Sequence, residues 1–224
     1  WVAMFTQRWM HLTGVTKDLS AAEAIATFGA DDVVALSGCR MSATTSEGDV
    51  IRAGSRGKLP FLIGTVGMHM VTNALFVTAA LDAAGADPVK GLAALAEFAP
   101  PPGRGSRTRL IIGSGELLLI DESYNANPAS MRAALSVLPA LPRSDYPRRI
   151  AVLGDMLELG PDAPAMHADL WDAIDSAGVD LVFAAGPHMA RLYERVSGAR
   201  RGGWAQTSAE LEPVLMAALK PGDA

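Results

Sequence analysis

The stretch RRIAVLGD, residues 148–155, decides the fold. Its four apolar residues lie between two arginines and a Gly-Asp pair. Such an unbroken apolar run reads as a strand buried on both faces, as in the middle of a parallel sheet. The same grammar continues downstream. A helix is expected over roughly 163–177, a second apolar strand in VDLVFAAG (179–186), a helix near 189–196 and a short strand around Trp204. A last helix follows, where Thr207 and Glu210 have capping-box spacing. Upstream, TRLIIGSGELLLI (108–120) reads as a hairpin turning at Gly-Ser-Gly. Next comes a helix with Asn127 as N-cap, Pro128 at its first position, and Met131, Leu135 and Leu138 turned inward. Strands alternating with helices predict an α/β fold with a Rossmann-like, doubly wound sheet.

Three prolines and two glycines in APPPGRGSR (99–107) cannot continue a helix, so a domain boundary is expected there, giving segments 1–102 and 103–224. Before it the signal differs. SAAEAIATFG (20–29) suggests a short helix from Ser20 to Gly29. DDVVALSG, GDVIRAG and LPFLIGTVG then read as short strands between polar turns. GMHMVTNALFVTAALDAAG (67–85) is a helix closed by Gly85, with Val71, Leu75 and Thr78 on one face and Met70, Ala74, Val77 and Leu81 on another. Asp87-Pro88 opens the next helix, with Val89, Leu92, Ala93 and Ala96 as its expected buried stripe.

Composition narrows the function. Against 19 basic residues stand 24 acidic ones, a net charge of −5, which gives no reason to expect nucleic acid or an anionic membrane as partner. No apolar run is long enough for a membrane span, and WVAMFTQRWMHLTG lacks the apolar core of a signal peptide. Cys39 is the only cysteine, which fits a reducing compartment and an incidental thiol. Neither end reads as a finished terminus. His167 and His188 have no partners at metal spacing and read as structural. GSRGK (54–58) is too short for a phosphate-binding P-loop.

Ligands of open α/β sheets gather at the carboxyl ends of strands, and two loops there are unusually polar. In IDESYNANPASM (120–131), Asp121 ends its strand, where a carboxylate suits the two vicinal hydroxyls of a ribose. Tyr124 offers a flat face and a hydroxyl, and Asn125 both donates and accepts. A solvated turn is the plain alternative for both Asp121 and Tyr124. Asn127 reads first as a cap, supported by Ser130. In GDMLELG (154–160), Asp155 is either a ligand residue or the start of an Asx-turn, and Glu158 either functional or a plain exposed acid. His69 and Asn73, four apart on a helix, form either a purine grip or a simple surface pair. Arg104 is either a hinge arginine or a phosphate or ribose contact.

Taken together, GMHMVTNAL, FAPPPGR, IDESYNANPASMRAAL and AVLGDMLELG, in this order, resemble the Mur ligases from about Thr44 onward. The YNANP loop followed by VLGDM-ELG resembles the branch that joins D-alanyl-D-alanine to UDP-N-acetylmuramoyl-tripeptide in cytoplasmic peptidoglycan precursor synthesis. The resemblance implies the C-terminal part of an ATPase-like central domain in 1–102 and a Rossmann-like C-terminal domain in 103–224. It implies ATP and Mg2+ as cofactors and an acyl phosphate route to the amide. By matching position, Asn73 would contact adenine with His69 in support, and Arg104 and Asp121 would reach the nucleotide, Asp121 at the ribose. Tyr124, Asn125 and the 154–160 loop would line the cleft that closes on nucleotide and dipeptide, with Asn127, Asp155 and Glu158 on the substrate side. The family's phosphate loop, metal-binding acid and modified lysine have no counterpart in this sequence, so the piece by itself is expected to be inactive. The competing readings are another amide ligase of this superfamily, of the folylpolyglutamate type or a different Mur enzyme, and a non-catalytic nucleotide- or partner-binding module.

Overall fold

The structure, a computed structural model, describes residues 34–42, 44–52 and 57–224. The helix expected over 20–29, and residues 54–56 of the GSRGK stretch, lie outside the described residues. The chain divides into two compact units, Trp1–Ala99 and Pro100–Ala224, and each is described by itself.

In the first unit, β1 (Val34–Met41), β2 (Ser46–Arg52) and β3 (Lys58–Ile63) form an antiparallel sheet in that order, with an irregularity in β1 between Leu36 and Cys39. Helix α1 (Met68–Ala83) buries Val71, Ala74, Leu75 and Thr78 in a core with Val50, Phe61 and Ile63. Val77 is turned outward, so the second expected face of this helix is only partly used. Thr78 is fully buried, and its hydroxyl is satisfied by donating to the Ala74 carbonyl at 2.8 Å.

Helix α2 (Pro88–Ala94) starts as the sequence suggests. The Asp87 carboxylate accepts the Val89 N–H at 2.9 Å, with Pro88 in the first turn. Its buried stripe is not the expected one. Pro88 and Leu92 are buried and Leu95 packs on the core, whereas Val89, Ala93 and Ala96 are exposed. The helix is short and tightens into a 3-10 turn at Leu95–Glu97, which keeps the i, i+4, i+7 line inward and swings the next line out.

In the second unit, β4 (Ser106–Ile112) and β5 (Gly115–Asp121) pair as the expected hairpin. Then come α3 (Pro128–Leu135), β6 (Ile150–Gly154), α4 (Ala163–Ala168), α5 (Trp171–Ser176), β7 (Leu181–Ala185), α6 (Met189–Arg195), β8 (Arg201–Ala205) and α7 (Ser208–Ala218). Strands β6, β7 and β8 are parallel in that order. Helices cover both faces. Val182 and Ala184 of β7 pack with Leu170, Ile174, Met189 and Leu192, while Phe183 points the other way, towards Leu211 of α7. Gly202 and Gly203 make room for that ring, because a Cβ on Gly202 would stand 2.5 Å from it.

One detail departs from the sequence reading and one goes beyond it. The single helix expected over 163–177 is two short ones, because the Leu170 N–H reaches back only three residues, to the His167 carbonyl. Arginines take the freed carbonyls there, Arg132 at Asp169 (2.7 Å) and Arg195 at Ala168 (3.1 Å). The hairpin is also not isolated. Residues 222–224 run along it, with Gly222 donating to the Glu116 carbonyl and Leu118 to that of Asp223. On their other side Ala224 donates to the Arg148 carbonyl and accepts from Ile150. The buried Asp223 carboxylate fixes this segment by accepting from Arg148 Nε at 2.8 Å and Nη2 at 2.6 Å.

Candidate functional site

The site residues suggested by the sequence fall into three groups. The first is in the linker and the loop after β5. Asp121 is the knot of this group. Its Oδ1 accepts from the Ser123 hydroxyl (2.6 Å) and the Ser123 N–H (3.0 Å), and its Oδ2 accepts from the Gly103 N–H (3.1 Å). The Ser123 hydroxyl foremost, then the Ser123 and Gly103 amides, hold this carboxyl below its ordinary range. Two further backbone bonds, Gly105 N–H to the Asp121 carbonyl and Tyr124 N–H to the Gly103 carbonyl, bind linker to loop. Gly103 has φ 76, and a Cβ there would meet Tyr124 at 3.0 Å.

This arrangement brings Arg104 over the Tyr124 ring, with the guanidinium carbon 4.0 Å from the ring centre. Tyr124 is 67% exposed, so the stacked pair stands on the surface. Beside it the half-buried Glu122 carboxyl is pushed up, first by burial and then by the charge of Asp121. Asn125 is exposed, and its side-chain oxygen accepts the Ala126 N–H at 2.8 Å. Asn127 caps α3, forming with Ser130 a reciprocal capping box. The sequence reading gave Asp121 room for two ribose hydroxyls. Three donors already fill three of its four lone-pair sites, so one position remains on Oδ2 unless Ser123 lets go. Ser123 and Gly103 were the residues the sequence reading missed. The spacing Asp-x-Ser is an Asx-turn signal that would have found Ser123.

The second group is the loop after β6. The Asp155 carboxylate faces inward and caps α6, accepting from Met189 N–H (2.8 Å) and His188 N–H (3.1 Å). Gly186 permits this, since a Cβ there would overlap the carboxylate. Glu158 is exposed with φ 60, the left-handed region that side chains avoid. Between them Met156 is buried and Leu157 is 75% exposed.

The third group lies in the first unit. His69 folds back over Gly67 at the start of α1, where a Cβ on Gly67 would stand 2.5 Å from the ring. Its Nδ1 is buried with no hydrogen-bond partner among the described residues, and burial lowers the imidazole's pKa. Asn73, one turn on, is exposed. Among the described residues no cluster of three or more His, Cys, Asp or Glu can hold a metal ion. Among them, too, no helix is long and apolar enough to cross a membrane.

Residues 106–224 match the family model described as "Mur ligase, glutamate ligase domain". The chain belongs to the Mur ligase family. Among curated Mur ligases it is similar to the UDP-N-acetylmuramoyl-tripeptide–D-alanyl-D-alanine ligase of Escherichia coli (strain K12), 39% identical over 132 residues, 58% of this chain and 27% of that protein. The Haemophilus influenzae enzyme of the same name is 34% identical over 155 residues, 69% of this chain and 32% of that protein. The chain therefore spans about a quarter to a third of these relatives. Among solved Mur ligases, MurF from Acinetobacter baumannii superposes with a TM-score of 0.68 at 26% identity, covering 89% of this chain and 43% of that one. MurF from Thermotoga maritima, solved in complex with ADP, superposes with a TM-score of 0.64 at 18% identity, covering 85% and 41%. The α/β, Rossmann-like reading of the C-terminal domain is borne out by this fold.

Proposed function

We propose that this chain is a part of an ATP-dependent amide ligase, comprising the later portion of its central domain and most of its third. The ligase joins D-alanyl-D-alanine to UDP-N-acetylmuramoyl-tripeptide in the cytoplasmic synthesis of peptidoglycan precursor. In this reading residues 103–224 are the C-terminal domain and residues 1–102 belong to the central ATP-binding domain. The observation that carries the reading is the tie among Gly103, Asp121 and Ser123, which sets Arg104 on Tyr124 in a chain whose relatives carry that name.

In such a reaction a substrate carboxylate is activated as an acyl phosphate at the expense of ATP, and the amine of the dipeptide then displaces phosphate. The Oδ2 position left on Asp121 suits one ribose hydroxyl. Arg104, stacked on Tyr124 and with no ion pair among the described residues, suits a phosphate or ribose oxygen. Tyr124 and Asn125 present polar groups beside it. Asn73 would read the adenine edge from α1, with His69 held neutral behind it. Glu158 and Asn127 face solvent and are assigned to the substrate side, whereas Asp155 contributes there by holding its loop. Mg2+ would balance phosphate charge, but none of these residues is assigned to it.

Phosphate release by the full-length protein tests this function. Release that needs ATP, the UDP-linked tripeptide and D-alanyl-D-alanine together is the expected result. Release with a single amino acid in place of the dipeptide would move the protein to another branch of the family. On the present chain, calorimetry with ADP is expected to show weak binding that Arg104→Ala and Asp121→Ala abolish.

A further inference from the structure

The most buried titratable group of the second unit is not among the residues assigned above. His167, in α4, has no exposed surface. Its Nε2 stands 2.8 Å from the Met156 amide nitrogen and its Nδ1 2.6 Å from the Ala163 carbonyl oxygen. A backbone amide only donates and a carbonyl only accepts, so the ring must carry its proton on Nδ1 and accept at Nε2. The Met156 amide is the group that occupies Nε2; the Asp155 Oδ1 stands farther off, at 3.9 Å, and accepts from the Met189 N–H, and the His188 ring lies 5.4 Å away.

The bond from Met156 lands where the loop needs it. Asp155 is pinned by α6 and by its own N–H to the Ala185 carbonyl, and Met156 is pinned by its side chain in the core. Immediately beyond, Leu157 is thrust into solvent and Glu158 takes a left-handed backbone. Glu158 is the only residue other than glycine with such a backbone among the described residues. A conformation of this cost persists only where its surroundings over-determine it.

We propose that His167 is a positioning residue: locked as the Nδ1–H tautomer, it holds residues 155–160 in one conformation and thereby sets Glu158 at the carboxyl end of β6. The consequence for catalysis rests on the function proposed above, in which Glu158 meets the substrate. The latch itself does not.

Two measurements on the chain test it. Long-range proton–nitrogen NMR of the wild type at neutral pH should show Nδ1 protonated and Nε2 bare. An Nε2–H tautomer or an imidazolium would overturn the proposal without any variant having to fold. The second compares His167→Gln, whose amide oxygen can stand near the Nε2 position, with His167→Phe, which fills the volume but cannot accept. Met156 amide exchange should quicken about tenfold in the Phe variant, as expected for loss of one hydrogen bond, and stay near wild type in the Gln variant. The Val182 and Phe183 amides should be unchanged in both. Unchanged exchange at Met156, or equal acceleration of core amides, would overturn the latch. In the full-length ligase, His167→Phe should raise the KM for D-alanyl-D-alanine and His167→Gln should restore it. Equal KM in all three would overturn the link between latch and site. A full-length wild type without ligase activity would overturn the proposed function, while the exchange and tautomer results would still decide the latch.

Discussion

Asp121 illustrates how one carboxylate ties a linker to a loop. The bonds from Ser123 and Gly103 favour its charged form, so its folded pKa lies below the unfolded value of about 3.9. The tie is fully present above the unfolded value and is lost as pH falls through the folded one. A carboxyl-carbon NMR titration should therefore give Asp121 a midpoint below that of an unstructured aspartate; a midpoint at or above it would refute the hydrogen-bond pattern. Asp121→Ala would free the linker as well as remove the proposed ribose contact, so Asp121→Asn, which keeps an acceptor for Ser123, is the cleaner probe of binding. Gly103 supports the same tie. With φ 76 and Tyr124 at 3.0 Å from any added Cβ, Gly103→Ala should destabilise the second unit by about 1–2 kcal/mol in chemical denaturation.

Elements with their own start signals were legible in the sequence, and elements set by distant partners were not. Asn127, Asp87 and Thr207 all cap the helices that their spacing announced. Replacing Asn127 with alanine should cost about 1 kcal/mol of stability, read from the denaturation midpoint. The break between α4 and α5 had no local signal, and the arginines that meet its carbonyls, Arg132 and Arg195, come from other elements. Asp155 could be placed on a loop but not given its duty, since the amides it caps are 33 and 34 residues away. Ser123 was legible in principle, being two residues from Asp121, whereas the Gly103 amide, 18 residues back, was not. The Arg148–Asp223 pair, 75 residues apart, belongs to the same class of long-range ties. Its carboxylate is almost wholly buried, so Arg148→Met should cost about 3 kcal/mol by leaving that charge unpaired. The double variant with Asp223→Leu should recover part of the loss. If both single variants leave the melting temperature unchanged, the pair does not anchor the segment.

Across the whole molecule, each unit carries its own core. Val50, Phe61, Ile63, Val71 and Leu92 anchor the first, and Leu141, Leu170, Ile174, Val182 and Leu192 the second. Separate cores predict two heat-absorption transitions in scanning calorimetry rather than one. The first unit should melt first. Among the described residues its sheet runs β1-β2-β3, with both outer strands lacking a further strand partner. A single cooperative transition would contradict this. ADP should raise the midpoint of whichever transition contains the bound residues, by mass action on the folded form.

The segment 222–224 has a consequence for how such a chain is made. Hydrogen-bonded to β5 on one side and to residues 148–150 on the other, it supplies the seam between hairpin and parallel sheet. A polypeptide leaves the ribosome from its amino end, so the strands on either side of that seam emerge long before the residues that close it. During synthesis the nascent second unit must therefore wait with an open slot beside β6, its backbone amides paired only with water, until Asp223 arrives to meet Arg148.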